Sequence, residues 1–327
     1  MYLTRTEENV AGVDALAARL APSGGGRVGL AALLDDLPHR ARRTLAPGLG
    51  VRRALAWERS DRHDRTWFPQ GVTNSYATDT DREVLLVAWY SSRGAGARVS
   101  FLDLAARRYR HVLLVEPTED GDVRPVKVHA GGLVWQGPWL HVASTWRGLL
   151  TCRVEDVMLD PTEEHGYRYL LPVRFGYQAA TDEGVARLRY SFLSLDRSGP
   201  EPALVAGEYG ADGQTTRLAR FPTDPATGLP AAGEDGTVRP ADLGDAARAR
   251  MQGGCRVGGV WYVTVSRGRR TPGDVYVGGL GAFTRYRWAT PMGPEDLCHH
   301  PPTDLLWSVT EHPGRRWVFA MKRGWFR

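Results

Sequence analysis

Cysteine is scarce in this chain, with Cys152, Cys255 and Cys298 the only three in 327 residues. An odd number at unrelated spacings argues against a disulfide framework and against a C-x-x-C metal site. It fits a reducing compartment and leaves the three thiols as core residues. Long apolar runs are missing as well. No window approaches the roughly 18 apolar residues of a membrane span. The start, Met1-Tyr-Leu-Thr-Arg-Thr-Glu-Glu-Asn9, has no basic stretch followed by an apolar one. The chain is therefore expected to be soluble and cytoplasmic, with no membrane partner.

Clustered charge is also rare. The formal net charge of +5 comes from arginines scattered along the chain, and only Arg267-Gly-Arg-Arg270 and Arg315-Arg316 look like local surface patches. A nucleic-acid binder concentrates its cations on one face and interleaves stacking aromatics, so no nucleic-acid partner is expected. Signature motifs are lacking too: there is no G-x-S-x-G elbow, phosphate loop, H-E-x-x-H pair or dinucleotide fingerprint. Gly279-Leu-Gly281 lacks the strand-to-helix context that the last of these needs.

What is present is ample core material: 42% of residues are hydrophobic and 11 are Trp. Residues 1–50 differ from the rest. Val10 to Leu20 and Val28 to Leu37 carry apolar residues at three- and four-residue spacing, separated by the breaker Ala21-Pro-Ser-Gly-Gly-Gly26. They predict two short helices capping the main body. From about residue 51 the pattern becomes short runs of Val, Leu, Trp, Tyr and Thr between Gly, Pro, Asp and Ser clusters. Helical composition returns only at Pro240 to Arg250.

These runs repeat. Small or polar residues open a first run at Gln70, His129, Ser191, Gln252 and Glu295, spaced 59, 62, 61 and 43 residues apart. A second run follows each: Val84 to Tyr90, Trp139 to Trp146, Ala203 to Tyr209, Val260 to Ser266 and Leu305 to Glu311. A turn and a third run come next: Arg98 to Leu104, Gly148 to Val154, Thr216 to Phe221, Gly273 to Val277 and Arg316 to Met321. A more divergent fourth run, such as Arg108 to Val115, completes the unit. Four-stranded sheets of this kind bury both faces only by stacking around a channel. The expected fold is all-β, a five-bladed β-propeller over residues 51–327 with a short N-terminal helical segment over residues 1–50. Val51 to Glu58 would supply the missing outer strand of the fifth blade and close the ring. A two-sheet sandwich or two smaller β domains is the alternative.

The segments Trp67-Phe-Pro-Gln-Gly-Val-Thr73, Arg108-Tyr-Arg-His-Val-Leu-Leu-Val-Glu-Pro117, Val128-His-Ala-Gly-Gly-Leu-Val-Trp135, Gly293-Pro-Glu-Asp-Leu297 and Leu306-Trp-Ser-Val-Thr-Glu-His-Pro-Gly314 resemble a family of actinobacterial β-propeller proteins labelled as secreted. The likeness runs from about Trp67 to Phe319. It implies the propeller fold and supplies no activity. The start without an export signal departs from that family, and fits an intracellular paralogue recruited to another task such as specialised metabolism.

In a propeller, the starts of the innermost strands and the ends of the second strands meet at one mouth of the channel. The expected catalytic set there is His129, Glu208, Glu295, Glu311 and His312. The expected substrate-binding set is Trp67, Gln70, Tyr90, Thr145, Trp146, Ser191, Tyr209, Gln252 and Arg267. Grouped carboxyls raise one another's pKa, so one of Glu208, Glu295 and Glu311 would be a protonated general acid, with His129 or His312 as base or proton carrier. His299-His300-Pro-Pro reads as a turn, because adjacent strand residues point to opposite faces.

The expected function is an enzyme acting on a small organic molecule, such as a natural product, by cofactor-independent acid/base chemistry: cyclisation, isomerisation or elimination. Glycoside hydrolysis is a second reading, requiring two carboxyls either about 5 Å or about 6.5–9.5 Å apart. It is disfavoured slightly because propeller glycosidases place an Asp early in the first blade, where Gln70 stands here. A third reading is a non-catalytic ligand- or protein-binding propeller. No metal or other cofactor is expected, although a mixed Glu/His set would also suit Zn, Mn or Fe. Oligomeric state is not legible.

Overall fold

The computed structural model describes residues 1–199, 201–211 and 213–326. It is an all-β, propeller-like fold with few helices. Five runs of four antiparallel strands succeed one another along the chain. Unit one comprises Trp67–Asn74, Val84–Ser91, Ala97–Asp103 and Arg108–Pro117. Unit two comprises Leu133–Gln136, Trp139–Ser144, Gly148–Arg153 and Tyr169–Ala180. Unit three has Phe192–Asp196, Ala203–Gly207, Arg217–Pro222 and Asp242–Asp245. Unit four has Met251–Val257, Val260–Val265, Asp274–Gly279 and Ala282–Tyr286. Unit five has Pro294–His300, Leu305–Thr310 and Trp317–Lys322, and its fourth strand is Val51–Ala56 from the N-terminal side.

The first strands of the five units pack against one another in cyclic order, and that of unit five returns to that of unit one. Strands stacked on both faces read as continuous apolar runs. Val84–Ser91, with the sequence VLLVAWYS, is buried over all but one position for this reason. The outer strands of units one and two also pair in parallel through Leu113–Val115 and Leu170–Pro172, which fuses the two units into one larger sheet.

The helix Val10–Leu20 forms as the spacing predicts, with Asn9 accepting a hydrogen bond from the Gly12 amide at 3.0 Å as its cap and Val13, Leu16 and Leu20 buried. The second helix is shorter, Gly29–Asp35. The first fifty residues contribute strands as well: Tyr2–Arg5 extends the end of Tyr169–Ala180, and Arg42–Arg43 pairs with Leu55 and Ala56. These strands satisfy sheet edges that would otherwise present open backbone groups. Pro240 to Arg250 is not helical. Asp242–Asp245 pairs with Arg217–Arg220 as the outer strand of unit three, so tertiary pairing overrides local propensity there. The three cysteines are buried free thiols. No described helix is long and apolar enough to cross a membrane.

Unit one contains a buried chain of polar contacts. Trp89 Nε1 donates to Ser100 Oγ (2.7 Å), Ser100 Oγ meets His111 Nδ1 (2.8 Å), and His111 Nε2 meets Asp61 Oδ1 (3.0 Å). Arg98 and the Tyr109 hydroxyl also donate to Asp61, at 3.1 and 2.5 Å. Burial raises the Asp61 pKa, but the His111 hydrogen bond and the Arg98 charge outweigh it and keep the carboxyl ionised. His111 is pushed down to about 4, first by burial and then by Arg98, so it is neutral and donates from Nε2. The Ser–His–Asp order looks like a nucleophilic triad. Ser100, however, is wholly buried and already accepts from Trp89, so no substrate reaches it and the chain is structural.

Candidate active site

Three of the five first strands carry a β-bulge at the same level. The register slips between Pro69 and Val72, between Met251 and Gly253, and between Pro294 and Leu297. A bulge inserts an extra residue and re-aims a side chain. The residues inside these bulges include Gln70, Gln252 and Glu295, and this shared irregularity brings them to one end of the ring. Pro294 leads into Glu295, whose carbonyl accepts from Thr264 Oγ1 (2.9 Å) of unit four and Ser308 Oγ (3.2 Å) of unit five.

Around Glu295 the structure gathers much of the expected set. Gln252 Nε2 approaches Glu295 Oε1 at 3.4 Å. Burial pushes the Glu295 pKa well above its ordinary value, and the neighbouring charges of Glu311 and Asp296 push the same way. Glu311 is half-buried, and burial raises it too, against the pull of Arg269, Arg316 and the Gln70 side chain. Tyr90 lies near both carboxyls, stacks on Phe68 with centroids 5.6 Å apart, and meets the His129 ring at 4.5 Å. The His129 ring is open to solvent at the rim, yet the surrounding protein holds its pKa below the ordinary value.

His312 is buried, with Nδ1 3.3 Å from Glu311 Oε1. Burial and then Arg269, Arg315 and Arg316 hold its pKa at about 4. It is therefore neutral beside the Glu311 carboxyl. Its Nε2 is buried without a partner and abuts Gly293. His312 thus packs beside Glu311 with its Nε2 turned into the protein. Ser191 stands at the edge of the group, its Oγ accepting from the Tyr209 amide at 3.1 Å, and the Tyr209 carbonyl accepts from Met251 beside Gln252.

Five expected residues are engaged elsewhere. Glu208 is wholly buried against Arg217, which donates from Nε (3.0 Å) and Nη2 (2.7 Å), while the amides of Arg217 and Arg189 donate at 2.9 and 3.1 Å. Burial raises its pKa, but these donors win and hold it below the ordinary value, so it is an ionised structural carboxylate and not the protonated acid. Arg267 pairs with Asp274 at 3.1 Å. Trp67 lies under Arg98, 4.7 Å from the guanidinium carbon, and packs edge-on against Tyr167. Trp146 is exposed with Arg189 over its ring, and Thr145 forms a bridge to Tyr190.

Glu208→Gln should therefore cost about 3 kcal/mol of stability, the scale of a broken buried ion pair, while leaving turnover unchanged. Thermal melts beside a turnover assay check this. Lost turnover at an unchanged melting temperature would return Glu208 to the chemistry.

Two residues at this end had no role in the sequence reading. Arg316, read there as part of a surface patch, is wholly buried. Its Nε donates to the Glu311 carbonyl (2.7 Å), Nη1 to the Asp61 carbonyl (2.6 Å), and Nη2 has no partner. Burial lowers its pKa to about 10, so it stays charged beside Glu311. Asp296, which the sequence reading holds only as part of the Gly293–Leu297 segment, is wholly buried on the axis. Its Oδ2 accepts from the amides of Val72 (3.0 Å) and Leu133 (3.3 Å), the amides of Leu193 and Leu297 lie near the carboxyl, and Oδ1 is buried without a hydrogen-bond partner. Glycine permits this closure: a Cβ on Gly132 would lie 1.9 Å from Leu193 N, and one on Gly253 2.5 Å from the Asp296 Cα.

Among the described residues no group of three or more His, Cys, Asp or Glu side chains is placed to hold a metal ion.

No family model and no curated protein matches the chain. Among solved structures it is similar to the gluconolactonase XC5397 of Xanthomonas campestris, with 15% identity, 88% of each chain covered and a TM-score of 0.38. It is also similar to the β-propeller domain of Cps50 (Swd1) from Myceliophteria thermophila, with 12% identity over 87% of this chain and 99% of that one and a TM-score of 0.38. A GH43_1 enzyme from Xanthomonas citri aligns at 12% identity over 89% and 92%, with a TM-score of 0.37. TM-scores this low say nothing of the activity of this chain.

Proposed function

We propose that the five units are the blades of a five-bladed propeller, and that its Glu295 end is the active site of an enzyme performing acid/base chemistry on a small organic substrate without a cofactor. One observation carries the reading: two carboxyls of different exposure, Glu295 buried and Glu311 half-buried, stand together with raised pKa values. Divergent environments for paired carboxyls are how one site holds both an acid and a base near neutral pH.

In this reading Glu295 is protonated and gives its proton to a substrate oxygen or double bond. Glu311, held by the Gln70 side chain and by the Arg316 contact to its backbone, takes a proton from the substrate as carboxylate. One proton enters and one leaves, so the net reaction is an isomerisation or cyclisation, or an elimination if a leaving group departs with the first proton. Tyr90, Phe68 and exposed His129 form the wall that receives the substrate, and Gln70 and Gln252 steady the carboxyls.

The test is mass balance. Purified protein incubated with a metabolite extract of its source cells should convert a compound to one of equal mass, or to one lacking a neutral fragment, as read by mass spectrometry. A pair of products, one of them a sugar, whose masses sum to the substrate plus one water would replace this reading by glycoside hydrolysis. Retention of a compound unchanged through gel filtration would replace it by ligand binding.

A further inference from the structure

The opposite end of the ring holds a cavity of about 120 Å³, reached by all five first strands. It is separate from the Glu295 end, because Asp296 and the glycine contacts of the first strands close the axis between them. Its chemistry is the reverse of that end: none of its lining residues is acidic, and two are arginines.

Arg197 is exposed, lies over the Tyr76 ring at 5.3 Å, and has no ion pair among the described residues. Arg256 donates to Asp196 at 3.2 Å, but that carboxylate also accepts from Arg220 at 3.1 Å. Arg220 pairs in turn with Asp242 at 3.6 Å, so these two guanidiniums face two carboxylates, and the positive charge left over at the cavity is that of Arg197. The walls between the arginines are apolar: Trp135, Leu195 and Val257. Asn74 is fixed by its bond to the His299 carbonyl (2.9 Å), and burial keeps His299 below its ordinary pKa.

We propose that this cavity binds a small organic anion, its carboxylate or phosphate on Arg197 and Arg256 and its apolar body against Trp135 and Leu195. Guanidinium forks match both head groups, and a cavity of about 150 Å³ accommodates a benzene ring, so the space suits a body of that size or slightly smaller.

The probes are benzoate, phenyl phosphate and neutral benzamide, titrated calorimetrically into the full-length protein. At least one anion should bind with a Kd below about 10 mM, benzamide should bind at least tenfold more weakly, and added salt should weaken the anion. The ratio of benzoate to phenyl phosphate distinguishes the two head groups. Arg197→Gln, which breaks no ion pair, should weaken the anion at least tenfold, and Ala77→Leu, which fills the cavity, should do the same. Glu295→Gln should leave binding unchanged, which separates this site from the proposed catalytic one. Absence of binding by either anion, equal binding of benzamide, or full binding by Arg197→Gln overturns the proposal.

Discussion

Glu295→Gln is expected to fold, to melt no lower than the parent protein, and to lose turnover by about 10²–10⁴-fold, the usual worth of a positioned proton donor. The amide is nearly isosteric with the carboxyl, can still accept from Gln252 Nε2, and carries no transferable proton. The stability half follows from the sign of the shift. A carboxyl raised by burial contributes stability below its unfolded pKa and loses it as the pH rises through the folded value. Gln carries no such cost, so the variant should gain on the parent most clearly in mildly alkaline buffer. In the parent, activity should fall on the alkaline side as Glu295 ionises and on the acid side as Glu311 takes up a proton. Turnover by Glu295→Gln within about threefold of the parent would remove Glu295 from the acid role.

Much of the ring was legible because its signals are local. Aromatic and β-branched runs broken by turn residues locate the second and third strands to within one or two residues, and the short fifth repeat implies the strand Val51–Ala56 that completes it. The helical composition of Pro240 to Arg250 misled, since a solvent-facing edge strand needs little apolar patterning and takes its form from its partner.

The site was legible where register alone sets position. Gln70, Gln252 and Glu295 share a level because they occupy equivalent bulges. Position did not reveal what each side chain already holds. Glu208 fits the register as well as Glu311 does, yet its partner Arg217 lies in the next strand, and no spacing rule says which of the scattered arginines will pair. Arg316 was hidden for the complementary reason: a charged residue beside Arg315 reads as surface until the packing of Phe68 and Trp89 around it is known. Gly71, Gly131, Gly132 and Gly253 were the one available hint to Asp296, since repeated glycine at the start of first strands marks backbones that crowd the axis.

Asp296→Ala should be the most damaging single change in the molecule. The carboxyl accepts backbone amides from units one and two and lies near those of Leu193 and Leu297, while Gly253 of unit four packs on its Cα. Truncation leaves the buried amides of Val72 and Leu133 without an acceptor, at about 1–3 kcal/mol each. The loss, about 2–6 kcal/mol, reaches the total stability of many domains, so the variant should be insoluble or melt far below the parent. Asp296→Asn keeps one acceptor oxygen and should fold with a lowered melting temperature. That milder variant also reports on the chemistry. The Asp296 charge is one of the three causes that raise Glu295, so its removal should lower the Glu295 pKa and move the alkaline limb of the activity profile to lower pH. A melting temperature for Asp296→Ala within a few degrees of the parent would show that the axis is not held by this carboxyl. An unmoved alkaline limb in a folded Asp296→Asn protein would show that the limb does not belong to Glu295.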